Sequence, residues 1–195
     1  QTNLLSRLVN DLVDVSRIQA NKLELRPRKC NLSDIVRDVV REQRLAWLGR
    51  AISLSLPDVA VQVHGDADRL GQVVTNYLTN ALKYSPAERP VAVRLCIKPQ
   101  PHSDSAGTPD DASYIARVEV RDEGPGLPLD KQQHIWERFH RVPGVEVQSG
   151  TGVGLGLGLH ISKTIIEHHG GQVGVESASG EGSTFWFTIP LVDAS

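Results

Sequence analysis

The N-terminal segment carries the hydrophobic pattern of an amphipathic helix. From Asn3 to about Leu25, apolar residues recur at steps of three and four, the spacing that places them on one helix face. They are Leu5, Leu8, Leu12 and Val15, with Leu4, Val9 and Ile18 widening the stripe. Such a stripe packs either on the helix's own domain or against a second chain. Because Pro27 separates the helix from the rest of the chain, we favour an appended arm over residues 1–26 that pairs with another chain.

The rest of the chain mixes helical and strand patterns. Helices are predicted from Asn31, with Ser33 as the N-cap, from Asp66 to about Tyr84, near Asp130 to Phe139, and from about Gly156 to His169. Period-two alternation predicts strands in AISLSL, VAVQVHGD, VAVRLCI, YIARVEVRD, QVGVES and STFWFTIPL. About five strands and three core helices, without strict alternation, predict one sheet with helices on one face, an α/β (α+β) sandwich.

Composition narrows the function classes. The 195 residues carry a net charge of −2 and only 5% aromatic residues, so no basic surplus or stacking platform indicates a nucleic-acid partner. No apolar run is long enough to cross a membrane, so we expect no membrane contact from these residues. Cys30 and Cys96 are too few for a disulfide framework, which favours a reducing, cytoplasmic location.

The predicted helix after Asp66 carries amides on its polar face. Gln72, Asn76 and Asn80 follow at steps of four, with Lys83 three residues further on, opposite a buried stripe. A solvated face typically carries Glu, Lys and Arg, because Asn lowers helix stability. An amide oxygen suits Mg²⁺, and a lysine one turn away can contact phosphate, so this face predicts a ligand site.

A second candidate element is the DEGPG segment, where Asp122 comes directly after a predicted strand. A carboxylate fixed at a strand end can accept a hydrogen bond from an exocyclic amine such as that of adenine. Gly124 and Gly126 let the backbone approach a flat ring without interference from a Cβ atom. Taken alone, the segment is equally typical of a tight turn.

The third element is a glycine-rich loop that runs into a helix. Gly154, Gly156 and Gly158 would let backbone N–H groups converge on phosphates at a helix N-terminus. The intervening residues Leu155, Leu157 and Leu159 are expected to anchor the loop to the core. A dinucleotide fingerprint needs a strand directly before the glycines, and PGVEVQSGTG is a loop pattern, so that alternative fails.

Together these segments resemble the ATP-binding catalytic domain of sensor histidine kinases, in the superfamily shared with DNA gyrase, heat-shock chaperone ATPases and mismatch-repair ATPases. TNYLTNALKYS resembles the asparagine box, DEGPG and GLGLGLHISK the first two glycine boxes, WERFHR the phenylalanine box and GEGSTFWFTIP the last box. The resemblance implies a Bergerat-type two-layer sandwich with a mixed, mostly antiparallel sheet. It implies an ATP-binding domain over residues 27–195, with a lid over 127–153.

The resemblance also implies roles for individual residues and the cofactors ATP and Mg²⁺. Asn80 would be the metal ligand, and Asn80, Lys83 and Arg141 the catalytic group. Phe139 would seat the lid, and Ser183 would support the adenine side. The full set of implied nucleotide contacts is Asn76, Asn80, Lys83, Tyr84, Asp122, Gly124, Gly126, Phe139, Gly154, Leu155, Gly156, Leu157, Gly158, Leu159 and Ser183.

The resemblance finally implies partners and leaves two alternatives. Residues 1–26 resemble the last part of a dimerisation and acceptor hairpin, and the receiver domain of a response regulator would take the phosphoryl group onward. None of the seven histidines has the family's acceptor context, so we expect the acceptor on a helical hairpin outside this chain, in a kinase that is a homodimer. The first alternative is an ATPase of the gyrase or chaperone type, which Gln72 disfavours because an amide cannot act as general base. The second is a nucleotide-binding signalling module without transfer activity.

Overall fold

A computed structural model describes residues 2–20, 22–100, 114–140, 142, 147–148 and 154–192. Its helices are α1 (Thr2–Gln19), α2 (Leu32–Ala46), α3 (Ala67–Tyr84), α4 (Leu129–Gln132) and α5 (Gly158–His168), with a 3₁₀ turn at His134–Trp136. Its strands are β1 (Arg28–Asn31), β2 (Ile52–Ser55), β3 (Gln62–Gly65), β4 (Val91–Pro99), β5 (Tyr114–Asp122), β6 (Val173–Ala178) and β7 (Gly182–Pro190).

Five strands form the main sheet in the order β2-β4-β5-β7-β6. The short β2 runs parallel to β4, and every other neighbouring pair is antiparallel. Strands β1 and β3 form a separate antiparallel pair, which the Val63–Leu191 bridge links to the end of β7. The predicted mixed, mostly antiparallel sheet is therefore confirmed.

The helices α2, α3 and α5 form the second layer of the sandwich and pack against one face of the sheet. Alternate residues of β5, among them Val118 and Val120, are buried, as expected when one face of an antiparallel sheet covers the core. Tyr77 of α3 lies at the centre of this layer, and its ring contacts those of Phe185 and Phe187. The core therefore fixes which face of α3 is left for other contacts.

Three helices differ from the sequence prediction. The helix expected near Asp130 to Phe139 is instead the short α4, Leu129–Gln132, followed by the 3₁₀ turn at His134–Trp136. Asn31, not Ser33, caps α2: it has an extended backbone, and its side-chain oxygen accepts a hydrogen bond from the Ser33 backbone N–H. Helix α1 ends at Gln19 rather than near Leu25. The apolar side chains beyond that end belong to an extended segment in which Leu23 is buried against the core.

Helix α1 packs on its own domain through one side. Val15 is buried against the core, while Val9 and Leu12 are 51% and 49% exposed. Packing of α1 on its own domain, which the sequence left as an alternative, therefore occurs at Val15. Pairing of the exposed side of α1 with another chain stays a prediction. The boundary between the arm and the ATP-binding domain at residue 26 also stays a prediction. In the part of the chain that the structure describes, no helix is long and apolar enough to cross a membrane.

Candidate nucleotide-binding site

A cavity of about 760 Å³ lies between α1, α3, the loop after β5 and the start of α5. Thirteen of the residues expected to contact nucleotide line it. They are Asn76, Asn80, Lys83, Tyr84, Asp122, Gly126, Gly154, Leu155, Gly156, Leu157, Gly158, Leu159 and Ser183. Residues from four separate stretches of sequence therefore meet at one cavity.

Helix α3 forms the polar wall of the cavity. Since its apolar stripe faces the core, the helical period turns Asn76, Asn80 and Lys83 toward the cavity. Asn80 is half-buried, and the Lys83 side chain is almost fully buried. A desolvated ammonium group beside a neutral amide can contact phosphate oxygens with little screening by water.

The Asn76 side chain supports the start of α5. Its Nδ2 donates a hydrogen bond to Ser162 Oγ at 3.0 Å. A Cβ added to Gly158 would overlap the Asn76 amide, so glycine permits this close packing of the two helices. In this structure Asn76 thus holds the glycine loop against α3.

The N-terminus of α5 carries backbone N–H groups without a side-chain cap. Leu157 occupies the N-cap position and makes no capping hydrogen bond, whereas Asn31 caps α2 and Asp66 caps α3. The uncapped end lines the cavity. Uncapped N–H groups and the positive end of the helix dipole form a site that fits an anion such as phosphate.

The glycine loop differs from expectation at two positions. Leu157 is 1% exposed and anchors the loop, but Leu155 is 36% exposed and lines the cavity. A Cβ on Gly154 would meet no atom of the described residues within 4 Å, so these residues leave space for a side chain there. Gly156 has φ +71, and its carbonyl accepts a hydrogen bond from the Phe139 backbone N–H, so the left-handed backbone at this position favours glycine.

Asp122 forms the closed end of the cavity. It is 5% exposed and lies opposite Ser183, its register partner in β7. Burial raises the pKa of the Asp122 carboxyl group, while backbone N–H groups of Gly124 and Ser183 oppose that rise by stabilising the carboxylate. The Gly124 N–H donates to Oδ1 at 2.8 Å. A buried carboxylate with remaining acceptor capacity fits an exocyclic amine.

The loop after Asp122 packs against the hairpin between β6 and β7 and is hydrogen-bonded to it. Gly126 has φ +67, and an added Cβ would overlap the Ala178 carbonyl oxygen. The Gly180 backbone N–H donates to the Pro125 carbonyl at 2.7 Å, and the Leu127 N–H donates to Ser177 Oγ at 2.8 Å. These contacts hold the closed end of the cavity in one conformation.

Two of the expected site residues that the structure describes, Gly124 and Phe139, do not line the cavity. Gly124 contributes through its bond to Asp122. Phe139 is 60% exposed with φ 59 and contacts the glycine loop through its backbone. Arg141 lies outside the described residues, as do several positions of the predicted lid.

Helix α1 supplies a wall that the sequence did not predict. Asp14 Oδ2 accepts hydrogen bonds from Arg69 Nη1 at 2.8 Å and from Gln72 Nε2 at 2.9 Å. Arg69 Nη1 also donates to Gln72 Oε1 at 2.8 Å. The sequence placed the Gln72 amide on the predicted ligand face and interpreted it as a missing general base, whereas the structure shows that it also fixes α1 beside the cavity.

Sequence reasoning also missed Ser162, Ser177 and Gln132. Gln132 Nε2 donates to the Leu127 carbonyl at 3.0 Å and to the Ser177 carbonyl at 2.8 Å. Single hydroxyl and amide side chains in strands and short helices carry no distinctive spacing. The one signal for Ser162 was its position one helical turn after the glycine at the start of α5.

The donor set fits Mg·ATP. The closed end offers hydrogen-bond acceptors for an amine, and the open end offers Lys83 and the uncapped start of α5 for phosphates. No cluster of three or more His, Cys, Asp or Glu side chains able to hold a metal occurs among the described residues. A single amide such as Asn80 suits Mg²⁺, since that ion keeps waters and substrate phosphates as most of its ligands.

Comparison with known proteins agrees with this geometry. Residues 65–193 match the family described as histidine kinase-, DNA gyrase B-, and HSP90-like ATPase. Adaptive-response sensory kinase SasA of Prochlorococcus marinus is 31% identical over 188 residues, which cover 95% of this chain and 45% of that protein. Drug sensory protein A of Synechocystis is 34% identical over 98% of this chain and 28% of its own length. This chain therefore spans less than half of either relative.

Solved structures give the same result. The structure of full-length ShkA in complex with AMPPNP matches 98% of this chain and 36% of its own, with a TM-score of 0.75 and 26% identity. The mycobacterial sensor histidine kinase MprB matches 85% of this chain and 98% of its own, with a TM-score of 0.65 and 26% identity. The chain belongs to the family of histidine kinase-, DNA gyrase B- and HSP90-like ATPases, and it carries the ATP-binding catalytic domain of a two-component sensor histidine kinase.

Proposed function

We propose that this domain binds Mg·ATP and transfers the γ-phosphoryl group to a histidine on a helical hairpin of the same kinase, outside this chain. The receiver domain of a response regulator then accepts the group from that histidine. The observation that carries the proposal is the convergence of Asp122, Asn80, Lys83 and the uncapped start of α5 on one cavity.

At the closed end, the Asp122 carboxylate binds the adenine amine. Its burial supports this role, because water competes little for a carboxylate that is 5% exposed. Gly126 lets the loop beside the base pack closely on the hairpin, since an added Cβ would overlap the Ala178 carbonyl oxygen. Ser183 lies across the strand pair from Asp122 and contacts the same end of the base.

At the open end, Lys83 and the N–H groups that begin α5 hold the phosphates, and Asn80 binds the metal. The bound Mg²⁺ would supply charge neutralisation and fix the orientation of the phosphates. Catalysis by the chain itself is then positioning and electrostatic stabilisation, in which Lys83 meets charge that develops on the transferred group. Arg141 is proposed as a further contact to the γ-phosphate from the lid over residues 127–153, which orders over nucleotide.

We propose that the partners of this domain are proteins. The exposed apolar residues Val9 and Leu12 of α1 support pairing with a second copy in a homodimeric kinase. A cytoplasmic location follows from the same proposal, because a response regulator must reach the acceptor histidine. The net charge of −2 gives no electrostatic reason to propose a nucleic-acid partner.

The Gln72 side chain favours phosphoryl transfer over the ATPase alternative, because it is an amide rather than a carboxylate. Its amide nitrogen donates to Asp14 and its amide oxygen accepts from Arg69, and an amide cannot act as general base toward a water molecule. The presence of Asn80, Asp122 and the glycine loop at one cavity supports an active enzyme over a signalling module that has lost transfer. The two alternatives make different predictions for the fate of the γ-phosphate.

The test supplies a separate helical hairpin that carries an acceptor histidine, together with γ-labelled ATP and Mg²⁺. We expect acid-labile label on the hairpin, lost with Asn80→Ala or Asp122→Asn and retained with the matched surface variant His64→Gln. Release of free phosphate without labelled hairpin would favour the ATPase instead. Nucleotide binding without either product would favour the signalling module.

A further inference from the structure

The Ser177 hydroxyl group has a fixed hydrogen-bonding pattern. It lies within hydrogen-bond distance of three groups: the Leu127 backbone N–H at 2.8 Å, the Gly182 carbonyl oxygen at 2.8 Å and Ser183 Oγ at 2.9 Å. An N–H group can only donate, and a carbonyl oxygen can only accept. The arrangement that keeps both backbone hydrogen bonds places the single proton of Ser177 on the bond to Gly182.

This pattern determines the proton of the neighbouring Ser183. Because the Ser177 proton is already used, the Ser177–Ser183 bond forms only if Ser183 donates and Ser177 accepts. Ser183 then has no proton left for the cavity, which it lines, and presents only oxygen lone pairs. Ser177 does not line this cavity, so it acts on the cavity through Ser183.

The closed end of the cavity consequently presents two acceptors. Asp122 and Ser183 are register partners, and both side chains are buried, at 5% and 7% exposure. A ligand edge that reaches this end must bring N–H donors, because a carbonyl oxygen there would face lone pairs without a compensating hydrogen bond. The 6-amino group of a purine has two N–H bonds, whereas a 6-oxo purine presents an acceptor at the same position.

We propose that Ser177 is a positioning residue that determines base specificity, by fixing Ser183 as an acceptor and so selecting 6-amino over 6-oxo purine nucleotides. The proposal rests on the function proposed above for this cavity. The contacts around Ser177 hold it in place: Gln132 Nε2 donates to its carbonyl oxygen at 2.8 Å, and Leu127 donates to its hydroxyl. Rotation of the hydroxyl away from Gly182 would leave the Leu127 or Gly182 backbone group without this partner.

The test compares affinities for ATP and inosine triphosphate, with Mg²⁺, by isothermal titration calorimetry. In Ser177→Ala the Ser183 proton is released and can be donated to a 6-oxo group, so the preference for ATP should fall about tenfold, the effect of one neutral hydrogen bond. Ser177→Thr retains the hydroxyl and should restore the preference. Thr184→Ala, next to Ser183 in the same strand, is the matched control and should leave the preference unchanged.

A double-mutant cycle separates this role from a general structural one. If Ser177 acts through Ser183, adding Ser177→Ala to Ser183→Ala changes the preference no further. A preference that is unchanged in Ser177→Ala, or an effect that persists without the Ser183 hydroxyl, overturns the assignment while leaving ATP binding intact. Absence of binding of both nucleotides to the unmodified protein overturns the proposed function itself.

Ser183→Ala alone provides the second test if Ser177→Ala does not melt cooperatively. It removes both the acceptor for the 6-amino group and the repulsion toward the 6-oxo group, so the preference for ATP must fall. A folded Ser183→Ala protein with the original preference contradicts the proposal.

Discussion

Replacing Asp14 with alanine is expected to loosen α1 while leaving the sandwich folded. The carboxylate is 7% exposed and accepts from Arg69 and Gln72 at 2.8 and 2.9 Å. At an effective dielectric constant of about 20, unit charges at this separation attract by about 6 kcal/mol. Desolvation of the pair offsets most of that attraction.

The net loss is estimated from the bonds that disappear. A hydrogen bond to a charged group contributes about 1.5–3 kcal/mol. The alanine regains about 0.5 kcal/mol of helix propensity. Arg69 is 20% exposed, so its guanidinium can hydrate once Asp14 is gone. We therefore expect α1 docking to weaken by about 2 kcal/mol, while burial of Val15 continues to hold the helix.

Native-state hydrogen exchange measures this change locally. A loss of about 2 kcal/mol should speed exchange of the α1 amides about thirtyfold, with little change for α3 amides beside the core. Ser16→Ala is the matched control, because Ser16 is an exposed neighbour on the same helix and gains similar propensity. Equal exchange rates in Asp14→Ala and Ser16→Ala would refute the claim that this ion pair anchors α1.

Three further predictions concern the cavity and the core. Asp122→Asn should raise the melting temperature of the nucleotide-free protein at neutral pH while abolishing ATP binding. Because burial raises the folded-state pKa of Asp122 above 3.8, the free energy of unfolding falls as pH rises from 3.8 through the folded-state pKa, and the variant removes this loss. A variant with the same dependence of stability on pH as the unmodified protein would contradict this prediction. Gly126→Ala should lower the free energy of unfolding in urea by more than Gly180→Ala does. Both positions have positive φ, which costs about 1–2 kcal/mol for alanine, but only the Cβ added at residue 126 would overlap the Ala178 carbonyl. Equal losses for the two variants would argue against that overlap. Tyr77→Phe should raise unfolding free energy by about 1 kcal/mol, since its buried hydroxyl has no hydrogen-bond partner in the described part of the chain; destabilisation would indicate a bound water.

Periodicity made α3 and the main sheet predictable from sequence. The steps of three and four from Leu70 to Leu82 determine which side of α3 is buried, and therefore where Asn80 points. The same reasoning overextended α1. Leu23 and Leu25 continue the apolar composition but are two residues apart, the period of an extended segment.

Contacts between distant segments were not predictable in the same way. β1 reads Arg-Lys-Cys-Asn and lacks an apolar alternation, so only its pairing with β3 makes it a strand. Asp14 looked like an ordinary surface position of α1, and its burial depends on Arg69 and Gln72 across the interface. Ser177 likewise gains its proposed role from Ser183, its register partner, and from Leu127 in the loop after β5.

The central position of β5, between β4 and β7, has a consequence for folding kinetics. Asp122 at its end meets Ser183 only after the last strand has closed onto the sheet, and it meets α3 only after the helical layer has docked. Loop-closure entropy makes such long-range pairings late and slow. Acquisition of nucleotide affinity during refolding should therefore lag behind the return of helical circular dichroism, so that nucleotide association reports completion of the chain's assembly.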